Sequence, residues 1–323
     1  MKLNRIMGLT PSKETEPIST GFMALDIRTN GLPIGEITTI AGRPGMGTTA
    51  FAISLLRNIG VIQKVPSAYL SLDVSEFEIV KRLKASLTGR WEDDQRRQKG
   101  LSLPKAVIEE FESAGFLHRT EQDKNLVWHD NEKYQADNAL KLMKEAPVWI
   151  EHDLCVTMNE IISRMERLHQ ENHVRIFFID SLRGMLFDDK YGELAQEIMK
   201  LRQAASRLKV AVVVIAPLNR SVEYRAGSRR PMLSDLRDFG HLEIYSSLVM
   251  LLYRPEYYCM EVFEDDSPAE NMADILVEKN RYGEMGNVRM RFVNHASFRE
   301  VVCEEDYCPA PKVSEASFND MPF

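Results

Sequence analysis

The chain has 323 residues, 44% apolar and 28% charged, the proportions of a soluble globular protein with one large or two small domains. A formal net charge of −7 excludes an overall basic nucleic-acid surface but leaves room for a local basic groove. Four scattered cysteines (Cys155, Cys259, Cys303, Cys308) make neither a disulfide framework nor a zinc set, and no run of about eighteen apolar residues or signal-peptide core occurs, so a cytoplasmic location with reduced thiols is expected.

In chain order, residues 1–17 are polar and read as a short leader. Ile37-Thr38-Thr39-Ile40-Ala41 is an apolar, β-branched run, and Ala50–Arg57 is competent to form a helix. Between them Gly42–Thr49 reads G-R-P-G-M-G-T-T. Strand, glycine loop and helix in this order make a phosphate site, with backbone N–H groups turned toward an anion at a helix N-terminus. Gly42, Gly45 and Gly47 supply the turn, with Arg43, Pro44 and Met46 between them, and Thr49 supplies a hydroxyl for Mg2+. The position that normally carries lysine to the β/γ-phosphates holds Thr48, which is neutral and too short for that role. An ordinary Gly/Pro-rich turn is the competing reading.

Further strands are expected at Ala68–Leu72, Val148–Ile150, Ile176–Ile179, Val210–Ile215, Leu248–Tyr253, Ile275–Val277 and Val288–Val293. Helices are expected at Glu76–Leu87, Met158–Gln170 and Leu194–Leu208. Continuous apolar strands separated by helices predict an α/β fold whose central sheet is buried on both faces. Leu103–Ala146 is charged and mixed, with helices and loops. Residues 304–323 are acidic and aperiodic, the pattern of a disordered tail.

Three further places carry candidate chemistry. Asp180 ends the Ile176–Ile179 strand, where a carboxylate holds the Mg2+ shell or merely ends a strand. Asp73 ends the preceding strand in the same way, as a general base for water or as a helix cap. Asn219–Pro231 is a polar loop bearing Arg220, Arg225, Arg229 and Arg230, suited to the phosphates of a single strand or simply to solvent.

The stretch Asn219–Arg237, N-R-S-V-E-Y-R-A-G-S-R-R-P-M-L-S-D-L-R, closely resembles a signature of DnaB-type replicative DNA helicases. Ala41–Thr49, Ser71–Val74, Ile179-Asp180 and Glu278–Arg281 fall in that family's order, from Ser19 to about Phe292. The resemblance implies a RecA-like P-loop NTPase core over 18–303, with a mostly parallel central sheet flanked by helices. It implies ATP and Mg2+ at Gly42–Thr49, with Asp180 linked to the metal and Asp73 in the place of the catalytic glutamate. Lys279 and Arg281 match a basic pair that reaches a neighbouring subunit's nucleotide, so self-association or a ring with a related helicase is implied. The arginine loop corresponds to the one that lines the channel for single-stranded DNA.

This chain departs from the family's pattern at Thr48, at Asp73 (one methylene short), and at Pro217 in place of a γ-phosphate-sensing glutamine. Arg183 replaces a glutamine, and Ile244-Tyr245 replaces a polar pair. The seventeen leading residues are too few for the family's primase-binding domain. The expectation is a DnaB-like, ATP- and DNA-binding helicase core with impaired hydrolysis. The alternative is an inactive nucleotide- or DNA-binding subunit or scaffold beside an active helicase. The residues Asn319–Phe323 look like the acidic, Phe-ended tip of bacterial single-stranded DNA-binding proteins, which implies a tail-binding replication protein as partner.

Overall fold

Ile37–Gly42 is buried at every position because it lies in the interior of a nine-stranded sheet. The computed structural model describes residues 16–88, 138–153, 157–182, 191–225, 229–293 and 297–301. Most of the leader, most of Leu103–Ala146, Arg183, the tail and every cysteine except Cys259 lie outside these residues.

In chain order the strands are β1 (Ile37–Gly42), β2 (Ser67–Ser71), β3 (Val148–His152), β4 (Ile176–Asp180) and β5 (Ala211–Pro217). They continue with β6 (Ser246–Tyr253), β7 (Met272–Asn280), β8 (Gly286–Val293) and β9 (Ser297–Glu300). The helices are α1 (Met23–Thr29), α2 (Thr48–Leu56), α3 (Glu76–Thr88), α4 (Met158–Asn172), α5 (Tyr191–Leu208) and α6 (Gly240–Tyr245). The spatial order is β3-β2-β4-β5-β1-β6-β7-β8-β9. Pairing is parallel from β3 through β6 and antiparallel from β6 through β9. The mostly parallel sheet flanked by helices is therefore present, extended by an antiparallel edge that the sequence reading did not separate from it.

Side-chain alternation along each parallel strand divides the core. Phe178, Tyr69, Val213 and Met250 point into one cluster with α2 and α3, whereas the alternate residues Phe177, Leu70, Val212 and Leu251 join α4 and α5. Met158, Ile161, Met165 and Leu168 form the buried stripe of α4, whose start is fixed by a capping box between Thr157 and Glu160.

Helix α2 is buried along Ala50–Leu56, and its surroundings explain why it is apolar on all sides. The sheet covers one side. On another, Phe298 of β9 packs edge-on to Phe51, with ring centroids 5.3 Å apart, and its N–H donates to Ser54 Oγ at 2.8 Å. A π-helical turn, Arg57–Ile62, continues the helix. There Arg57 donates to Ser86 O at 3.2 Å and to Phe298 O at 3.2 Å, tying α2 to α3 and β9.

Candidate functional site

The carboxyl ends of β1, β2, β4 and β5 converge where successive strands leave the sheet in opposite directions, the usual place for a ligand in an open α/β fold. Strand β1 ends at Gly42, and the chain turns into α2 through Gly45 (φ 85°) and Gly47 (φ 93°). Both occupy the left-handed region that a side chain disfavours. Space is tight as well. A Cβ on Gly45 would lie 2.4 Å from the Tyr257 ring, and one on Gly47 would lie 3.1 Å from Phe292. The first turn of α2 carries no acidic residue, so the partial positive charge of its N-terminus is not neutralised from within. Thr48 and Thr49 are its first two residues, and the Thr48 methyl folds over Gly42.

Asp180 closes β4 in register with Ser71 of β2 and is 4% exposed. Tyr69, fully buried on β2, donates its hydroxyl to Asp180 Oδ2 at 2.6 Å. The Thr49 hydroxyl also lies close enough to the Asp180 side chain to favour its ionised form. Burial pushes the Asp180 carboxyl above its ordinary range; the Tyr69 hydrogen bond and the Thr49 hydroxyl oppose this, and the charge of Asp73 adds to it. The same burial, with the charge of Asp180, raises the Tyr69 hydroxyl further. Thr49 and Asp180, 131 positions apart in the chain (180 minus 49), are thus in contact. Asp73 is exposed just beyond β2, close enough for Asp180 to sense it.

One hydroxyl and one buried carboxylate, with a second carboxylate nearby, are oxygen donors of the kind Mg2+ takes. Among the described residues no group of three or more His, Cys, Asp or Glu could hold a metal alone. That suits an ion that keeps waters and phosphate oxygens as its other ligands. Thr49 and Asp180 therefore fit Mg2+.

Pro217 ends β5 directly opposite Gly42 and brings neither an N–H nor a polar side chain to the site. Arg43 is engaged by other partners. Its Nε and Nη2 donate to Glu223 Oε1 at 2.9 and 2.8 Å, and its Nη1 donates to Leu218 O at 2.7 Å.

The four loop arginines separate in role. Arg220 is exposed at the start of the 3-10 turn Arg220–Tyr224, and Arg229 lies 4.9 Å over the Tyr258 ring. Arg225 donates to buried Asp235 at 2.6 Å and to Arg230 O at 2.7 Å. Arg230 pairs with the fully buried Asp274 at 3.2 Å, so these two anchor the loop from inside.

Lys279 and Arg281 lie at the far end of the sheet. Lys279 is level with Val249, and Arg281 donates its N–H to Ser247 O at 2.9 Å, near the start of β1. Through Val249, Lys279 is level with Thr39, three residues of strand from Gly42 and roughly 10 Å at the usual rise per residue, and Arg281 lies one to two residues further back. Lys279 Nζ donates to the carbonyls of Glu243 and Ile244, and burial together with the Arg281 charge lowers its pKa. Both cations therefore stand back from Gly42–Thr49, on a strand two places from β1.

Sequence reasoning missed Tyr69, Glu223, Arg254 and Tyr257. Arg254 Nη1 donates to Gly45 O at 3.0 Å, and its guanidinium stacks 3.9 Å over Phe292. The available signal was Arg254's place immediately after an apolar strand, which the structure sets beside β1.

The DnaB-like helicase C-terminal domain model matches residues 17–300. The replicative DNA helicase DnaB of Buchnera aphidicola subsp. Acyrthosiphon pisum is 30% identical over 295 residues, covering 90% of this chain but 57% of the relative, so the chain spans little more than half that protein's length. A solved ATPase domain superposes with a TM-score of 0.71 at 25% identity, covering 93% of this chain and 95% of that one. A DnaB-like replicative helicase, solved in a study of its interactions with primase, shares the fold with a TM-score of 0.71 at 24% identity, covering 89% and 62%. The phosphate-loop architecture, the sheet order and a family match across nearly the whole chain agree: this chain belongs to the DnaB-like helicase C-terminal domain family.

Proposed function

We propose that the chain is a helicase motor core that binds ATP at Gly42–Thr49 and single-stranded DNA along the Asn219–Arg230 loop, and hydrolyses ATP slowly. The observation that carries this reading is the contact between Thr49 and Asp180 at the N-terminus of α2. Backbone N–H groups of the loop and of the first turn of α2 hold phosphate oxygens. Thr49 and Asp180 would hold Mg2+, which would supply charge neutralisation at the phosphates. Asp73 orients water, but from a carboxylate set back by about 1.5 Å relative to glutamate, a displacement of the size that costs about 10²-fold. Thr48 brings no charge to the γ-phosphate, and loss of such a cation costs 10³-fold or more, as a rough figure.

The DNA contact rests on Arg220, which is exposed, and on Arg229 over the Tyr258 ring; Arg225 and Arg230 hold the loop in shape. Lys279 and Arg281 act on the nucleotide of a second copy or of a related helicase, because their strand stands two places from β1 and sets both side chains back from their own loop. That same pair favours a second reading. A subunit that keeps its trans-acting cations while lacking the lysine of its own loop completes a neighbour's site without turning over its own. We place the protein in the cytoplasm, with Asn319–Phe323 available to a tail-binding replication protein; among the described residues no helix is long and apolar enough to cross a membrane.

The test is steady-state ATPase activity with and without single-stranded DNA, beside Thr48→Lys. Turnover above about 1 s⁻¹ in the unaltered chain, an ordinary enzyme rate, overturns slow hydrolysis.

A further inference from the structure

The groups around the phosphate loop divide by charge. Behind Gly45 lies Arg254, 7% exposed, with Nη1 on the Gly45 carbonyl and Nε buried without a partner. Its ion-pair partner, Glu256, is 3.5 Å away and carries a half-exposed side chain. This cation is therefore poorly compensated, and it stands behind a helix N-terminus that has no acidic residue in its first turn. Arg254 thus satisfies the Gly45 carbonyl, while within the loop the Met46 N–H is held by Arg43 O at 3.1 Å.

The other side, toward Asp180, is different. Two carboxylates, Asp180 and Asp73, lie near each other at the carboxyl ends of β4 and β2. Thr48 lies folded on Gly42, and Pro217 offers no donor. The cation whose field reaches Asp180 is Arg82, and it is paired with Glu78 at 3.0 Å. Arg43 is held by Glu223 and Leu218 O.

On the reading of Gly42–Thr49 as a nucleotide site, the geometry points to a nucleoside diphosphate as its preferred ligand, with Arg254 as the residue that positions the loop for the β-phosphate. A third phosphate adds negative charge beside two carboxylates and gains no cationic side chain of this chain beyond any Mg2+ that the diphosphate already shares, so it adds little to affinity.

The experiment displaces N-methylanthraniloyl-ADP from the full chain with ADP, ATP and AMP, with and without Mg2+. ADP binds as tightly as ATP or tighter, to within about threefold, and AMP binds at least about tenfold more weakly, a difference of one decade in Kd. Thr48→Lys moves the ADP-to-ATP preference toward ATP by about tenfold, the scale of one added charge contact. Arg254→Lys keeps the charge but loses the planar fork and the stacking on Phe292; it weakens ADP and ATP by one common factor, while thermal melting confirms the fold. ATP binding about tenfold tighter than ADP in the unaltered chain, or AMP matching ADP, overturns the diphosphate assignment and leaves the nucleotide site standing. Absence of binding by all three nucleotides overturns the site itself and the assignment with it.

Discussion

Arg43 and Glu223 join the phosphate loop to the arginine-rich turn through two hydrogen bonds to a single carboxylate oxygen, 2.9 and 2.8 Å long. Arg43 is 9% exposed and cannot leave this partner without a new one, since a buried, unpaired guanidinium is costly. Whatever moves the turn therefore bears on the loop.

Glu223→Gln keeps the size of the side chain and removes its charge. If the pair links the sites, single-stranded DNA changes ADP affinity by about fivefold or more in the unaltered chain, the low end of ordinary coupling, and by less than about twofold in the variant. The reciprocal effect of ADP on DNA affinity falls equally, because coupling of binding free energies is symmetric. Titrations of each ligand with the other present settle it, and an undiminished effect in Glu223→Gln removes the pair from the path.

The salt dependence of DNA binding separates the arginines. Arg220→Ala with Arg229→Ala reduces the slope of log affinity against log salt by about 1.4, roughly 0.7 for each phosphate contact on a single strand. Arg225→Ala acts on the fold instead. It strands Asp235, 5% exposed at its side chain, and lowers stability by about 3 kcal/mol, as expected when a buried pair loses one member. Fluorescence anisotropy across a salt series, with urea unfolding beside it, distinguishes the two outcomes; an unchanged slope in the double variant retires the loop as a DNA contact.

Thr48→Lys restores nucleotide affinity more than rate. Lysine replaces a missing contact to the phosphates, but Asp73 still sets its carboxylate back and Pro217 still offers no donor. Adding Asp73→Glu raises single-turnover hydrolysis by about tenfold or more over Thr48→Lys alone, a modest share of the penalty for a misplaced group. Equal rates for the single and double variants exclude Asp73 as the water-orienting group.

Lys279→Ala with Arg281→Ala leaves the chain's own ADP affinity within about twofold of the parent, since their strand stands two places from β1 and Lys279 lies roughly 10 Å of strand back from Gly42. Mixed with an active relative, the parent supports that relative's ATPase activity and the double variant does not. Sedimentation with nucleotide reports whether the two chains associate at all. A parent that stays monomeric alone and in the mixture removes the trans role.

Arg57→Ala tests the seam between α2, α3 and β9. The guanidinium serves Asn58, Ser86 and Phe298, and burial with the nearby Arg299 charge lowers its pKa to about 9. Its removal takes the side-chain donor from Phe298 O and leaves Ser86 O with only the long bond from Arg299, at 3.4 Å, and costs about 2 kcal/mol, at roughly 1 to 3 for a buried unsatisfied group. Chemical denaturation measures the loss, and a cost below about 0.5 kcal/mol, the ordinary surface value, denies the seam its role.

Local pattern was enough to determine much of this protein. The apolar run Ile37–Ala41, the glycines of Gly42–Thr49 and the helical stretch after them mark a phosphate loop because backbone N–H placement depends on adjacent residues alone. The parallel strands were legible for the same reason: burial on both faces leaves a continuous apolar run. Strand β9 was not, since Ser297–Glu300 contains one apolar residue, and Phe298 becomes core only because α2 lies beneath it. Strand order likewise leaves no trace in neighbouring residues. It decides that β1 lies between β5 and β6, and so brings Glu223 to Arg43 and Arg254 to Gly45 across separations of 180 and 209 residues. It also divides four similar arginines into two held inside by Asp235 and Asp274 and two left near the surface. A charged residue in a sequence shows what it can bind; the carboxylates that the fold places within reach decide what it does bind.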